Sequence, residues 1–83
     1  MKLTVKYFAS IREAIGTGQE PVETHAVTVQ GLRDELVARG GAYAASLARG
    51  RAVRAALNQM MVDSQAALTE GAEVAFFPPV TGG

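Results

Sequence analysis

The chain of 83 residues has no cysteine. Disulfides, thiolate catalysis and cysteine-based metal sites are therefore excluded. If sulfur is handled here, it cannot travel on a side-chain thiol, because methionine thioethers do not form persulfides. There is one histidine, His25, with no acid or metal ligand beside it in sequence, so a place in solvent or at a strand edge is expected for it. Charge of either sign is not in excess: eight Lys plus Arg balance eight Asp plus Glu. That balance removes the electrostatic case for nucleic acid or an anionic membrane as a partner. No apolar run approaches the length of a membrane span. Met1-Lys2 leads straight into a strand pattern without the apolar stretch of a signal peptide, which makes the cytoplasm the expected compartment. No nucleophile–base pair or metal cluster is visible. Gly40-Gly41 lacks the strand-then-helix setting of a phosphate loop, so no cofactor or metal is expected on the chain itself.

What is present is an ordinary folding composition, 48% hydrophobic and 19% charged. A chain of this length makes one domain and buries about 60% of its unfolded surface. Leu3 to Phe8 alternates as a strand, with Leu3, Val5 and Tyr7 on one face and Lys2, Thr4, Lys6 and Phe8 on the other. Ser10 and Glu13 fit a capping box for a short helix carrying Ile11 and Ile15, which Gly16 can end. Gly18 to His25 reads as a second strand, and Pro21 places it at a sheet edge. Thr28 is the expected N-cap of the main helix, Val29 to about Arg39, whose apolar stripe is Val29, Leu32, Leu36 and Val37. Ala42 to Ala48 adds a helical turn or two. Arg51 to Leu57 is expected as a strand, Asn58-Gln59 as a tight turn, and Met60 to Val62 as a short return strand with Met60 and Val62 inward. Asp63 to Thr69 reads as irregular and Glu70-Gly71 as a turn. The last strand, Glu73 to Phe77, stops at Pro78-Pro79, which cannot donate to a ladder. A domain of residues 1–77 followed by an extended tail of residues 78–83 is expected.

One amphipathic helix cannot cover both faces of a sheet. The expected fold is therefore α+β, a mixed sheet of four to five strands with one main helix on one face and the other face open. This is the β-grasp, or ubiquitin-like, arrangement, with the first and last strands as parallel neighbours. On that arrangement Phe8 and Phe77 share the open face at one end of the sheet, with Met61 on the same face. Two readings of these apolar residues stand side by side: a docking patch for a partner, or a surface covered by the Asp63–Thr69 segment. Arg12-Glu13 would add a polar rim. Arg49, Arg51 and Arg54 would make either a small anion site or a solvated face.

The chain ends Gly82-Gly83. Two residues without Cβ atoms are thin enough to thread a narrow channel and bring an α-carboxylate into another protein's active site. Pro78-Pro79 stiffens the approach. Pro78 to Gly83 can span about 20 Å at full extension. Val80 and Thr81 complete this spacer, Thr81 as a guide or a tolerated polar residue.

Read together, Glu73 to Gly83, EVAFFPPVTGG, closely resembles the C-terminus of the molybdopterin synthase small subunit, the MoaD family of sulfur carriers. Tyr7-Phe8-Ala9 with Arg12-Glu13, the Thr28-initiated helix, Leu57-Asn58-Gln59 and the Glu70-Gly71 turn extend the likeness over the whole chain. The resemblance implies a β-grasp fold. It also implies that an activating enzyme of the MoeB type, using ATP and Mg²⁺, adenylates the Gly83 carboxylate. A sulfur donor such as a cysteine desulfurase or rhodanese then leaves a thiocarboxylate there. The loaded tail enters the large subunit, of the MoaE type, and gives its sulfur to cyclic pyranopterin monophosphate. By the same resemblance Phe8, Met61 and Phe77 are contacts to the large subunit, with Met61 where the family often has Leu. Pro78, Pro79, Val80 and Thr81 are the tail contacts, Gly82 keeps the tail thin, and Gly83 is the reacting terminus. The rival expectations are a carrier for thiamin thiazole or a related pathway, a ubiquitin-like protein modifier, and a β-grasp binding module with an inert tail.

Overall fold

The computed structural model describes residues 1–79. Val80, Thr81, Gly82 and Gly83, expected as tail contacts and reacting terminus, lie outside the described residues. The elements run β1 (Lys2–Tyr7), α1 (Ala9–Ile15), β2 (Gln19–Glu23), α2 (Val29–Val37), α3 (Gly41–Leu47), β3 (Arg54–Leu57), β4 (Met60–Val62) and β5 (Glu73–Phe77). They build a five-stranded mixed sheet in the order β2-β1-β5-β3-β4. β1 and β5 are the parallel pair, with Val5 opposite Val74 and Tyr7 opposite Phe76; the other pairings are antiparallel. Pro21 sits on the edge strand β2, opposite Thr4.

The core lies on one side of this sheet. Leu3, Val5 and Tyr7 of β1, Val22 of β2 and Val74 and Phe76 of β5 meet Ile11 of α1, Val29, Leu32 and Leu36 of α2, and Leu47 of α3. Three helices, and not one, supply the cover. Thr28 caps α2, its Oγ1 accepting from the Gly31 N–H at 3.1 Å.

Three boundaries and one side-chain orientation differ from the sequence reading. The capping box at Ser10 does not form. Phe8 is the N-cap residue, with no side-chain cap, and its carbonyl accepts from Ile11 and Arg12. The parallel ladder reaches Phe8, where the alternation ends, with Phe8 N–H donating to the Phe76 carbonyl at 3.1 Å, and the helix starts directly after it, before Ser10 can cap it. β2 spans Gln19–Glu23; the Thr24 backbone still exchanges hydrogen bonds with Met1, and past that pair the Thr24 hydroxyl turns inward, donates to Glu35 and accepts from the Ala26 N–H. β3 begins at Arg54 and not Arg51. Its partner β5 runs into Pro78-Pro79, which offer no N–H to an earlier start, and residues 48–51 instead close a turn with Arg51 N–H on the Ala48 carbonyl. Met60, expected inward, is 72% exposed on the edge strand β4.

Candidate functional site

The bare face of the sheet is built by alternation. Lys6, Ala75, Ala56 and Met61 stand in one cross-strand row, and Phe77 stands opposite Arg54 in the next. Ala56 and Ala75 are small and buried, so the middle of the face is a shallow apolar floor. At one end of it the Phe8 and Phe77 rings meet edge to face, centroids 6.5 Å apart and planes at 84°. Such a pair contributes about 0.5–1.5 kcal/mol beyond its buried area and fixes both rings. Phe8 is 46% exposed and Met61 57%. Met61 lies two strands away from Phe77, across β3, and completes the apolar edge of the floor.

The corner that aims Phe8 is Ala9. Phe8 stays extended (φ −129°, ψ 155°) while Ala9 takes φ 53°, in the left-handed region. An alanine there costs about 1–2 kcal/mol. The Phe8–Phe76 ladder bond and the Phe8 carbonyl's bonds into α1 hold it. Pro78 and Pro79, half-buried, follow directly from Phe77.

The Asp63–Thr69 segment does not cover this face. It packs at the N-terminus of α2, on the core side: Val29 N–H donates to the Ala66 carbonyl, Gln30 N–H to that of Ser64, and Ala67 bridges Thr28. The aromatic pair is left open. On the same face the Lys6 Nζ pairs with Glu73 at 3.1 Å. His25 is exposed, as expected. Arg49 is withdrawn from the postulated anion site by a two-pronged pair with Asp34, at 2.7 and 3.1 Å.

A polar cluster on the helical side went unread in the sequence. Glu20 of β2 accepts hydrogen bonds from the Tyr7 hydroxyl (2.8 Å), the Tyr43 hydroxyl (2.6 Å) and Arg39 (3.0 Å). Burial alone would raise the Glu20 carboxyl. The bonds from Tyr43, Tyr7 and Arg39 outweigh it and hold the carboxyl below its ordinary range. The Tyr7 phenol is pushed far up by burial and by the Glu20 carboxylate it donates to. These groups are 13, 19 and 23 residues from Glu20 in sequence, so no local spacing announces them. Among the described residues no group of three or more His, Asp or Glu could hold a metal ion. No described helix is long and apolar enough to cross a membrane.

Among the described residues the site is thus an open apolar face with an aromatic pair beside Pro78-Pro79. The model of the ThiS family matches residues 5–83, which includes the diglycine. Over 81 residues, 98% of this chain and 99% of the relative, the protein is 43% identical to the molybdopterin synthase sulfur carrier subunit of Escherichia coli K12. Its fold is similar to the crystal structure of SAMP1 from Haloferax volcanii, 27% identical, with all of both chains covered and a TM-score of 0.78. It is also similar to a chain of the complex of subunits 1 and 2 of the molybdopterin-converting factor from Helicobacter pylori, 25% identical, again with full coverage and a TM-score of 0.68. This chain belongs to the ThiS family, and to the family of the molybdopterin synthase sulfur carrier subunit.

Proposed function

We propose that this protein carries sulfur on its C-terminal glycine as the small subunit of a molybdopterin synthase. The observation that carries the reading is a juxtaposition. A near-full-length relative is a sulfur carrier subunit, the family match runs through Gly82-Gly83, and the strand leading to that tail ends in an open aromatic pair. A carboxylate is a poor electrophile. An activating enzyme of the MoeB type, with ATP and Mg²⁺, would join the Gly83 carboxylate to AMP. A sulfur nucleophile from a cysteine desulfurase or rhodanese would then displace AMP. No residue of this chain needs to act as acid, base or ligand in those steps. Its part is to present a thin terminus.

The Phe8–Phe77 pair, Met61 and the alanine floor are the face that docks on the large subunit, of the MoaE type, while Pro78 to Gly83 enters its active site. The subunit 1 and 2 complex from Helicobacter pylori supports that assembly. The same assembly would work in the cytoplasm, where ATP and the sulfur donors are at hand.

The test is intact mass. Incubation with the activating enzyme, ATP, Mg²⁺ and a sulfur source is expected to raise the mass by one oxygen-to-sulfur exchange, localised to Gly83. An unchanged mass with both partner enzymes proven active would sink the proposal. The likeness to a small archaeal modifier, SAMP1, keeps one second reading in the same experiment: a modifier would appear as amide-linked adducts on lysines of other proteins, with no sulfur retained.

A further inference from the structure

The six arginines divide into two sets. Arg39 pairs with Glu20 and Arg49 with Asp34, and Arg33 gives its guanidinium to the carbonyls of Leu47, Ala48 and Arg51. Arg12, Arg51 and Arg54 are exposed and are not among the ion pairs or side-chain hydrogen-bond donors of the described residues. These three are the ones that surround the tail root. Arg54 stands opposite Phe77 on β3. Arg51 borders a small hollow shared with Pro78 and Ser10. Arg12 leaves α1 one turn after Phe8, lies over Gly18 and borders the same cleft as Phe8. The acids near them are few. Glu13 adjoins Arg12, Glu73 is held by Lys6, and the Asp63 carboxylate accepts from the Gln65 N–H. A molecule with no net charge thus keeps at one end the three arginines that make no ion pair among the described residues.

We infer that Arg12, Arg51 and Arg54 form a cationic collar that docks on a carboxylate-bearing rim around the tail channel of the large subunit. The inference rests on the sulfur-carrier reading. The collar borders the aromatic pair, so it extends the docking face without a gap. Apolar centres with polar, arginine-rich margins are the ordinary anatomy of a protein interface. Three unpaired arginines at the same margin need anionic partners, and guanidinium forks fit carboxylates. The collar also sits at the base of a tail that can span about 20 Å at full extension. It would therefore meet the protein around the channel mouth and not the nucleotide phosphates or the acyl group at Gly83. Charges at a rim act on the encounter more than on the lifetime of the complex.

Stopped-flow association of the full chain with the large subunit, at low and high salt, separates these effects. The R12Q/R51Q/R54Q variant is expected to associate about tenfold more slowly at low salt, to lose most of its salt dependence, and to dissociate at nearly the wild-type rate. Its melting temperature is expected to match wild type, since the three guanidinium groups make no hydrogen bonds within the described residues. The matching triple Lys variant is expected to recover most of the rate, because steering needs the charge. Phe77→Ala is expected to do the reverse, with faster dissociation and an unchanged salt slope. A triple Gln variant with the wild-type association rate and salt slope would overturn the collar alone, leaving the carrier reading in place if Phe77→Ala still weakens binding. Absence of binding by the wild-type chain would overturn both.

Discussion

Asn58 and Gln59 hold φ of 49° and 70°, the two left-handed positions of a two-residue hairpin between β3 and β4. Asn58 suits its place. Its N–H donates to the Glu73 carbonyl and its Oδ1 accepts from the Glu73 N–H, so it anchors the hairpin to β5. Gln59 has no such compensation, and a side chain in that region costs about 1–2 kcal/mol. Gln59→Gly removes this cost but adds freedom to the unfolded chain, worth about 0.5–1 kcal/mol. A net gain of about 0.5–1 kcal/mol in unfolding free energy is therefore expected, read from urea denaturation; a lowered midpoint would contradict the strain at Gln59. At this scale the sequence was legible where one residue has one local job. The Thr28 cap, the Gly16 stop and the Asn58-Gln59 turn all stand where spacing put them. Ser10 misled because its capping box was a local signal, and the Phe8–Phe76 ladder bond, a contact across 68 positions, set the helix start first.

The elements are locked by groups that face each other across the fold. Glu20 joins β2 to β1 through Tyr7, to α3 through Tyr43, and to the chain after α2 through Arg39. Tyr7 and Tyr43 also meet edge to face at 6.2 Å, and Arg39 lies over the Tyr43 ring. Two pH limbs follow. Glu20 has a lowered folded pKa, so its contribution is complete above the unfolded value of about 4.3 and is lost as pH falls from there through the folded value. Tyr7 has a raised folded pKa, so its contribution is complete below about 10 and is lost as pH rises above that. Glu20→Gln is expected to flatten the acid limb of stability against pH and to lower stability at neutral pH. Tyr7→Phe is expected to flatten the alkaline limb. Melting temperature followed from pH 3 to 11 checks both, and a Glu20→Gln curve parallel to wild type below pH 5 would remove Glu20 from the acid limb. The alternation of β1 put Tyr7 inside, and it was legible as core. Its partner was not, because Glu20 reads as one more polar residue on an edge strand until β2 is laid beside β1. The start of β3 was lost for the same reason: it is set by the prolines after its partner β5, and Arg33 of α2 holds the carbonyls of Leu47, Ala48 and Arg51 in the turn before it.

At the scale of the molecule, the sheet separates two tasks. One face is spent on three helices and the core, and the other carries the alanine floor and the aromatic pair. The apolar stripe of α2 made that division legible although α1 and α3 share the cover, and the β1–β5 parallel pair put Phe8 beside Phe77 as the alternation required. The sequence set Arg12 at the rim of the patch and grouped Arg51 and Arg54 with Arg49, but it did not display Arg12, Arg51 and Arg54 together, since they come from α1, a turn and β3. The division also separates the fold from the chemistry. Among the described residues the buried core cluster runs from Leu3 to Phe76 and closes before Pro78. The reacting group of the proposed function is the α-carboxylate of Gly83, and an amide in its place has no free oxygen to adenylate. One alanine added after Gly83 is therefore expected to leave the melting temperature and the affinity for the large subunit within about twofold of wild type. It adds one residue to a tail that can span about 20 Å at full extension, yet it is expected to abolish thiocarboxylate formation at Gly83. The three quantities are read on one preparation, by thermal melting, calorimetry and intact mass. Sulfur loading that survives the extension would place the chemistry somewhere other than the terminal glycine, and a loss of binding with it would mean that the carboxylate itself, and not the sheet face, holds the partner.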